Sequence, residues 1–342
     1  MTLLLDRRRL IVSPALAPAQ MRESDQFDGG QESIDGLITI GLINNMPDPA
    51  LQATERQFMR LLTAAAGNHR IRFHCFSLPS VNRSQPAKWR VDQKYTDLAD
   101  LDRLHIDGLI VTGAEPNAAA LPQEPFWQDL ADIIDWAKTN TRSTIWSCLA
   151  AHAAVLHLDG IERQRLDTKC SGVYDCFGVT DHWLTDNLPS PFRVSHSRLN
   201  EVRAADLTAR DYQLLTLSPE GGVDIFAKQL QRSQFIFFQG HPEYDPLSLE
   251  REYLRDIARF LAGERDHYPA FPIGYFDAET EARLVDFERR ARVERRPSLS
   301  TELPERVLRQ DSATAGGATA LLRNWLEFLS DGAQAVVPRS NV

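Results

Sequence analysis

Short apolar runs alternate with helix-patterned segments through the first half of this 342-residue chain, and that alternation restricts its fold more than any other feature. Gly36-Leu37-Ile38-Thr39-Ile40-Gly41-Leu42-Ile43 and Asp107-Gly108-Leu109-Ile110-Val111 are apolar nearly without interruption, as strands buried on both faces are. Ile71 to Leu78 alternates as a further strand, and Thr144-Ile145-Trp146 is a short one. Between them, Ala53 to Ala66 puts Phe58, Leu61, Leu62 and Ala65 on one helical face, and Phe126 to Lys138 repeats the pattern. Strands of this kind joined by helices predict an α/β fold, with a mostly parallel sheet and helices on both faces.

From Gly172 the strand signals crowd together: Val173-Tyr174, Phe192 to Val194, Leu214 to Leu217, Val223 to Ala227 and Phe235 to Phe238. Such spacing predicts antiparallel additions and hairpins. A helix over Leu149 to Leu158 stops at Asp159-Gly160, and Leu249 to Ala262 forms another. Residues 1–36 are polar and aperiodic and predict an N-terminal arm; 79–95 read as a polar loop. The catalytic domain is expected over 37–276. Residues 277–342 then form a charged linker and a docking helix over Ala318 to Leu329.

A net charge of −9 leaves no basic field for nucleic acid or an anionic membrane surface. No apolar stretch approaches the roughly 20 residues of a membrane span, and the first ten residues lack a secretory pattern. Cytoplasmic residence is therefore the expectation. Cys75, Cys148, Cys170 and Cys176 are expected as free thiols, and with no CxxC pair or His cluster no metal is expected.

One thiol stands apart. Cys148 falls where the Thr144 strand meets the Leu149 helix, so the helix N-terminus favours the thiolate, and the Leu149 N–H is placed to hold an oxyanion. Ala150 and Ala151 are small enough for a tight turn. A second strand, Phe235 to Phe238, empties into Gly240-His241-Pro242-Glu243. Pro242 keeps the loop extended, so Glu243 can turn back on His241. Nucleophile, base and orienter are thereby available.

Cys148-Leu149-Ala150-Ala151-His152-Ala153 with Gly240-His241-Pro242-Glu243-Tyr244-Asp245 resembles the homoserine O-succinyltransferase family. Leu42 to Pro47 with Thr54-Glu55, Asp107 to Ala114, Lys169 to Tyr174, Ser195 to Arg198, Glu252 to Asp256 and Asn324-Trp325-Leu326 fall in family order, covering about residues 37–329. The resemblance implies a flavodoxin-like, class I glutamine-amidotransferase-like fold. It further implies acyl transfer from succinyl-CoA, the co-substrate, to the L-homoserine hydroxyl in methionine biosynthesis. The acyl group rests on Cys148, His241 acts as base and Glu243 fixes its tautomer. No bound cofactor is implied, and a homodimer is compatible with the family. Lys169, Ser197 and Arg255 match substrate-contacting positions, with Arg255 suited to grip a carboxylate.

Several positions depart from the family pattern. Its nucleophile motif is usually Cys-Trp-Gly-Ala-Gln-Ala, so Leu149 and His152 alter a pocket wall; His152 is expected to face the core. A basic pair after Met-Pro is replaced by Asp48-Pro49. Asn117 matches the position linked to acyl-donor choice, where glycine accompanies succinyl and glutamate acetyl donors; its neutral side chain favours succinyl. Alternatives are acetyl-CoA as donor, serine or another hydroxy amino acid as acceptor, a glutamine amidohydrolase with the same three residues, and a non-enzymatic binding module.

Overall fold

The computed structural model describes residues 2–6, 9–13, 36–309 and 314–333. Eleven strands form one sheet: β1 (Thr2–Asp6), β2 (Arg9–Ser13), β3 (Leu37–Ile43), β4 (Arg70–Phe76), β5 (Gly108–Val111), β6 (Ser143–Ser147), β7 (Gln164–Gly178), β8 (Phe192–Glu201), β9 (Gln213–Ser218), β10 (Gly222–Leu230) and β11 (Ser233–Phe238). Their order is β1-β2-β4-β3-β5-β6-β11-β10-β9-β7-β8. The centre, β4-β3-β5-β6-β11, is parallel throughout. Everything outside it pairs antiparallel, as the crowded strand signals predict.

Helices α1 (Asp48–Ala65), α2 (Gln85–Lys94), α3 (Trp127–Asn140), α4 (Leu149–Asp159), α5 (Ala204–Thr208), α6 (Ser248–Leu261), α7 (Ala278–Glu294) and α8 (Ala315–Ala333) cover the sheet. On one face Ile38, Ile40 and Leu42 of β3 meet Phe58 and Leu62 of α1 and Leu322 and Trp325 of α8. On the other, Leu109, Val111 and Trp146 meet Leu130 and Ile134 of α3 and the alanines of α4. Neighbouring residues of β5 therefore enter different cores, which is why its sequence is apolar at every position. Gly108 has a particular task here. A Cβ on it would lie 2.5 Å from Leu329 and 2.7 Å from Trp325, so glycine lets α8 rest directly on β5.

Three expectations need correction. Within 1–36, expected as an arm, β1 and β2 pair antiparallel, and β2 adds to the outer edge of β4; residues 1, 7–8 and 14–35 lie outside the described residues. Residues 278–294, expected as linker, are the helix α7. Asp277 caps it by accepting the Thr280 N–H at 2.8 Å, and Leu284, Phe287 and Ala291 pack with α6 in a third core. Residues 85–94, expected as loop, are α2, held to α1 by an Arg90–Glu55 pair at 2.5 Å and by a small apolar contact of Ala87 and Val91 with Leu51. Helix α8 does dock, through a buried Trp325 whose Nε1 donates to Ser143 Oγ at 2.9 Å.

Candidate active site

Cys148 stands between β6 and α4 with φ +51° and ψ −109°, a left-handed conformation strained for an L residue. Its N–H donates to Phe238 O at 2.7 Å, which ties the turn to the end of β11. Ala150, Ala151, Ala153 and Ala154 are fully buried, and their small side chains let α4 sink against the sheet. As the first residue of α4, Leu149 has an N–H with no partner within the helix. The loop after β5 lies close by: a Cβ on Gly113 would stand 2.6 Å from Leu149 Cβ and 3.2 Å from its nitrogen.

Beyond β11, Gly240 passes so near Asp224 and Val194 that a Cβ would meet them at 2.5 and 2.6 Å. This close approach delivers His241, whose N–H donates to Ser195 O at 2.7 Å. The His241 ring is buried, and its Nδ1 lies 2.8 Å from Glu243 Oε1. Burial opposes a charge on the ring. The Glu243 carboxylate foremost, and then the charge of a Cys148 thiolate, outweigh it and hold His241 well above its ordinary value. With Nδ1 on Glu243, Nε2 is the nitrogen left for Cys148.

Lys169, Ser197 and Arg255 converge on two acids of α6. Glu252 accepts from Ser197 Oγ in a short bond, from Lys169 Nζ at 3.5 Å and from Tyr244 Oη at 2.6 Å. Burial would raise Glu252, but Lys169, Ser197 and Tyr244 hold it below the usual carboxylate range. Asp256 pairs with Lys169 at 3.3 Å, Arg255 at 3.1 Å and Arg265 at 3.7 Å. Burial is again opposed, with Lys169 and Arg255 foremost, and Asp256 is lowered. The Arg255 side chain is about half exposed, so its guanidinium also faces solvent.

Asn117 occupies an exposed turn, where its N–H and that of Ala118 both donate to Glu124 Oε1 at 2.6 Å. The turn reaches α6 through Glu115 and Arg259 at 3.7 Å. His152 is buried in the core, its Nε2 3.0 Å from Gln239 Oε1. Asp48 is structural: it accepts the Ser84 N–H at 2.8 Å and pairs with Arg83 at 3.4 Å. Arg83 in turn donates to Asn44 O and Met46 O, locking the turn after β3.

Sequence reasoning gave no role to Tyr244, Glu252, Asp256, Glu124 or Arg163. Burial lowers the half-buried Arg163, while Glu124 and Cys148 pull the other way, so this guanidinium, just before β7, lies within electrostatic reach of both. No spacing rule links residues so far apart. The same holds for Cys176, His196 and Asp224, which three different strands bring within 4.8 Å of one another. His196 and Asp224 already pair at 3.3 Å, and Thr216 donates to the second Asp224 oxygen.

Residues 29–333 match the family model for homoserine O-succinyltransferase. The chain is 59% identical to a homoserine O-succinyltransferase of Bradyrhizobium japonicum over 97% of its own length and 100% of that protein. A Rhodopseudomonas palustris protein of the same name is 56% identical over 96% of this chain and 99% of its own. The chain belongs to the homoserine O-succinyltransferase family. Among solved structures, a glutamine amidotransferase from Thermotoga maritima aligns at TM-score 0.47 with 13% identity, over 86% of this chain and 98% of its own. Within a homoserine O-succinyltransferase family framework, the unusual residues fall into two groups. His152 and Asp48 are absorbed into the packing, whereas Leu149 follows Cys148 at the start of α4 and Asn117 lies in an exposed loop bonded to Glu124. No described helix is long and apolar enough to cross a membrane.

Proposed function

We propose that the protein is a homoserine O-succinyltransferase working in two half-reactions through a succinyl group carried on Cys148. The observation that supports this is the buried His241–Glu243 pair, with Nδ1 of the histidine committed to the carboxylate and Cys148 among the groups that raise the ring's basicity. In the first half-reaction Cys148 Sγ attacks the thioester carbon, and the oxyanion is held by the Leu149 N–H. The carbon–sulfur bond to coenzyme A breaks, and the departing thiolate takes a proton from His241. In the second, the homoserine hydroxyl gives its proton to His241 Nε2 as its oxygen attacks the acyl carbon. The Cys148–acyl bond breaks, releasing O-succinylhomoserine and restoring the thiolate.

Arg255 is suited to the acceptor's carboxylate and the Glu252–Asp256 pair to its ammonium, with Lys169 and Ser197 completing the cluster. The neutral Asn117 and the nearby Arg163 favour a donor with a terminal carboxylate, and hence succinyl over acetyl. The chemistry needs no cofactor beyond the co-substrate succinyl-CoA. A homodimer and cytoplasmic residence complete the proposal.

Mass spectrometry after separate incubation with succinyl-CoA, acetyl-CoA and glutamine is the test. A succinyl increment on the Cys148 peptide, discharged by L-homoserine, is expected. Ammonia release from glutamine without an acyl adduct would turn the reading to an amidohydrolase, and no adduct or turnover at all would remove the covalent mechanism.

A further inference from the structure

The residue after the His-Pro-Glu string has no role in the chemistry above, yet it touches both halves of the site. Tyr244 lies face to face with His241, ring centroids 4.3 Å apart and planes 19° from parallel. Its hydroxyl donates to Glu252 Oε1 at 2.6 Å, while Glu252 Oε2 takes Ser197 and Lys169. One continuous path therefore runs from the cluster suited to the amino-acid acceptor, through Glu252 and the Tyr244 ring, to the plane of the base. Glu243 restrains His241 along one in-plane direction only. Stacking on Tyr244 supplies the missing restraint against tilting, and the Glu252 bond fixes Tyr244 in turn.

We propose that Tyr244 is a positioning residue that couples the acceptor cluster to His241 and acts chiefly in the second half-reaction. The two steps ask different things of the ring. During acylation the proton already favours His241, and Cys148 is the attacking atom. During transfer the neutral ring must receive a proton from a mobile hydroxyl along one direction, so a loose ring costs more there. The inference rests on the acyl-enzyme reading above.

The test is Tyr244→Phe in the full chain, followed by rapid quench. Release of coenzyme A without acceptor reads acylation, and discharge of the preformed acyl-enzyme by L-homoserine reads transfer. The ring stays and only the tether to Glu252 is lost. Transfer is expected to slow about 10- to 100-fold and acylation about threefold or less. Tyr244→Leu, which removes both the stacked ring and its tether while leaving Glu252 in place, should give the same unequal split and serves if the first variant does not fold. Equal losses in both steps, or none in transfer, would overturn the proposal. If the wild-type protein forms no acyl-enzyme, the mechanism itself fails and the proposal goes with it; a wild-type adduct with no split in the variant refutes Tyr244 alone.

Discussion

Adding one methyl group at Gly113 tests the assignment of the oxyanion donor. The new Cβ would stand 2.6 Å from Leu149 Cβ and 3.2 Å from the Leu149 nitrogen. Ordinary carbon contacts begin near 3.5 Å, so roughly 1 Å must be found. It cannot come from a flexible side-chain end, because Leu149 Cβ is fixed to the first turn of α4. The fully buried Ala150, Ala151, Ala153 and Ala154 keep that turn from backing into the sheet. The strain therefore falls on the Leu149 amide and on the loop facing it. Oxyanion donors work over a window of only about 0.4 Å, and losing one costs about 10²–10³ in kcat, or ~3–4 kcal/mol. Overpacking should cost about 1–3 kcal/mol of stability besides. Gly113→Ala is thus expected to fold, to keep its Cys148 open to iodoacetamide, and to release coenzyme A from succinyl-CoA at least about 100-fold more slowly by stopped flow. A folded variant that acylates within about threefold of wild type would refute the Leu149 N–H as donor.

Burial holds His152 at about 4 against an ordinary 6.5, so in the fold it is neutral while the unfolded chain takes up a proton between those values. Stability must then fall as pH drops below 6.5, by about 2 kcal/mol near pH 5. His152→Gln should remove that part of the acid loss, read as urea midpoints at neutral pH and about pH 5; an unchanged slope would contradict it. On the proposed donor role of position 117, Asn117→Glu should lower kcat/KM for succinyl-CoA about tenfold, ~1.4 kcal/mol of repulsion, while acetyl-CoA is spared. Equal effects on both donors would remove Asn117 from donor choice. Trp325→Ala empties a fully buried site and removes the donor to Ser143 Oγ, so about 3–5 kcal/mol should be lost in urea unfolding; a loss under about 1 kcal/mol would mean α8 is not docked.

The parallel sheet, and the placing of Cys148 and His241 at strand ends, were legible because both rest on local chain chemistry. Strand runs such as Leu109-Ile110-Val111 are apolar for a reason that holds wherever they pack, and Cys148 and His241 sit at turns that end such runs. Helix α7 escaped because Leu284, Phe287 and Ala291 give it a narrow apolar stripe among many charges. Its cap was nonetheless readable: Asp277 with Glu279 and Glu281 in the first turn is an N-terminal signature. Helix α2 offers no such stripe, burying only Ala87, and its anchoring to Glu55 of α1 through Arg90 crosses 35 residues of chain. Local pattern cannot carry that information.

Helix α6 explains why the cluster proposed for the acceptor was only half visible. Leu249, Tyr253, Ile257 and Phe260 form the stripe that periodicity reads as core. The complementary face carries Glu252, Arg255, Asp256 and Arg259, spaced at three and four residues and so stacked on one side. On an ordinary surface helix that face is solvated and its charges contribute little. Here the Asp256 side chain is only 2% exposed, and a carboxylate so far removed from water persists only with cationic partners. Lys169 from β7, Arg255 from the same helix and Arg265 beyond its end supply them. The difference between a solvated face and a covered one is therefore made by β7 and the His241 loop closing over α6, contacts more than 80 residues apart in the case of Lys169. Helical spacing reports which residues share a face; what covers that face is decided by the topology.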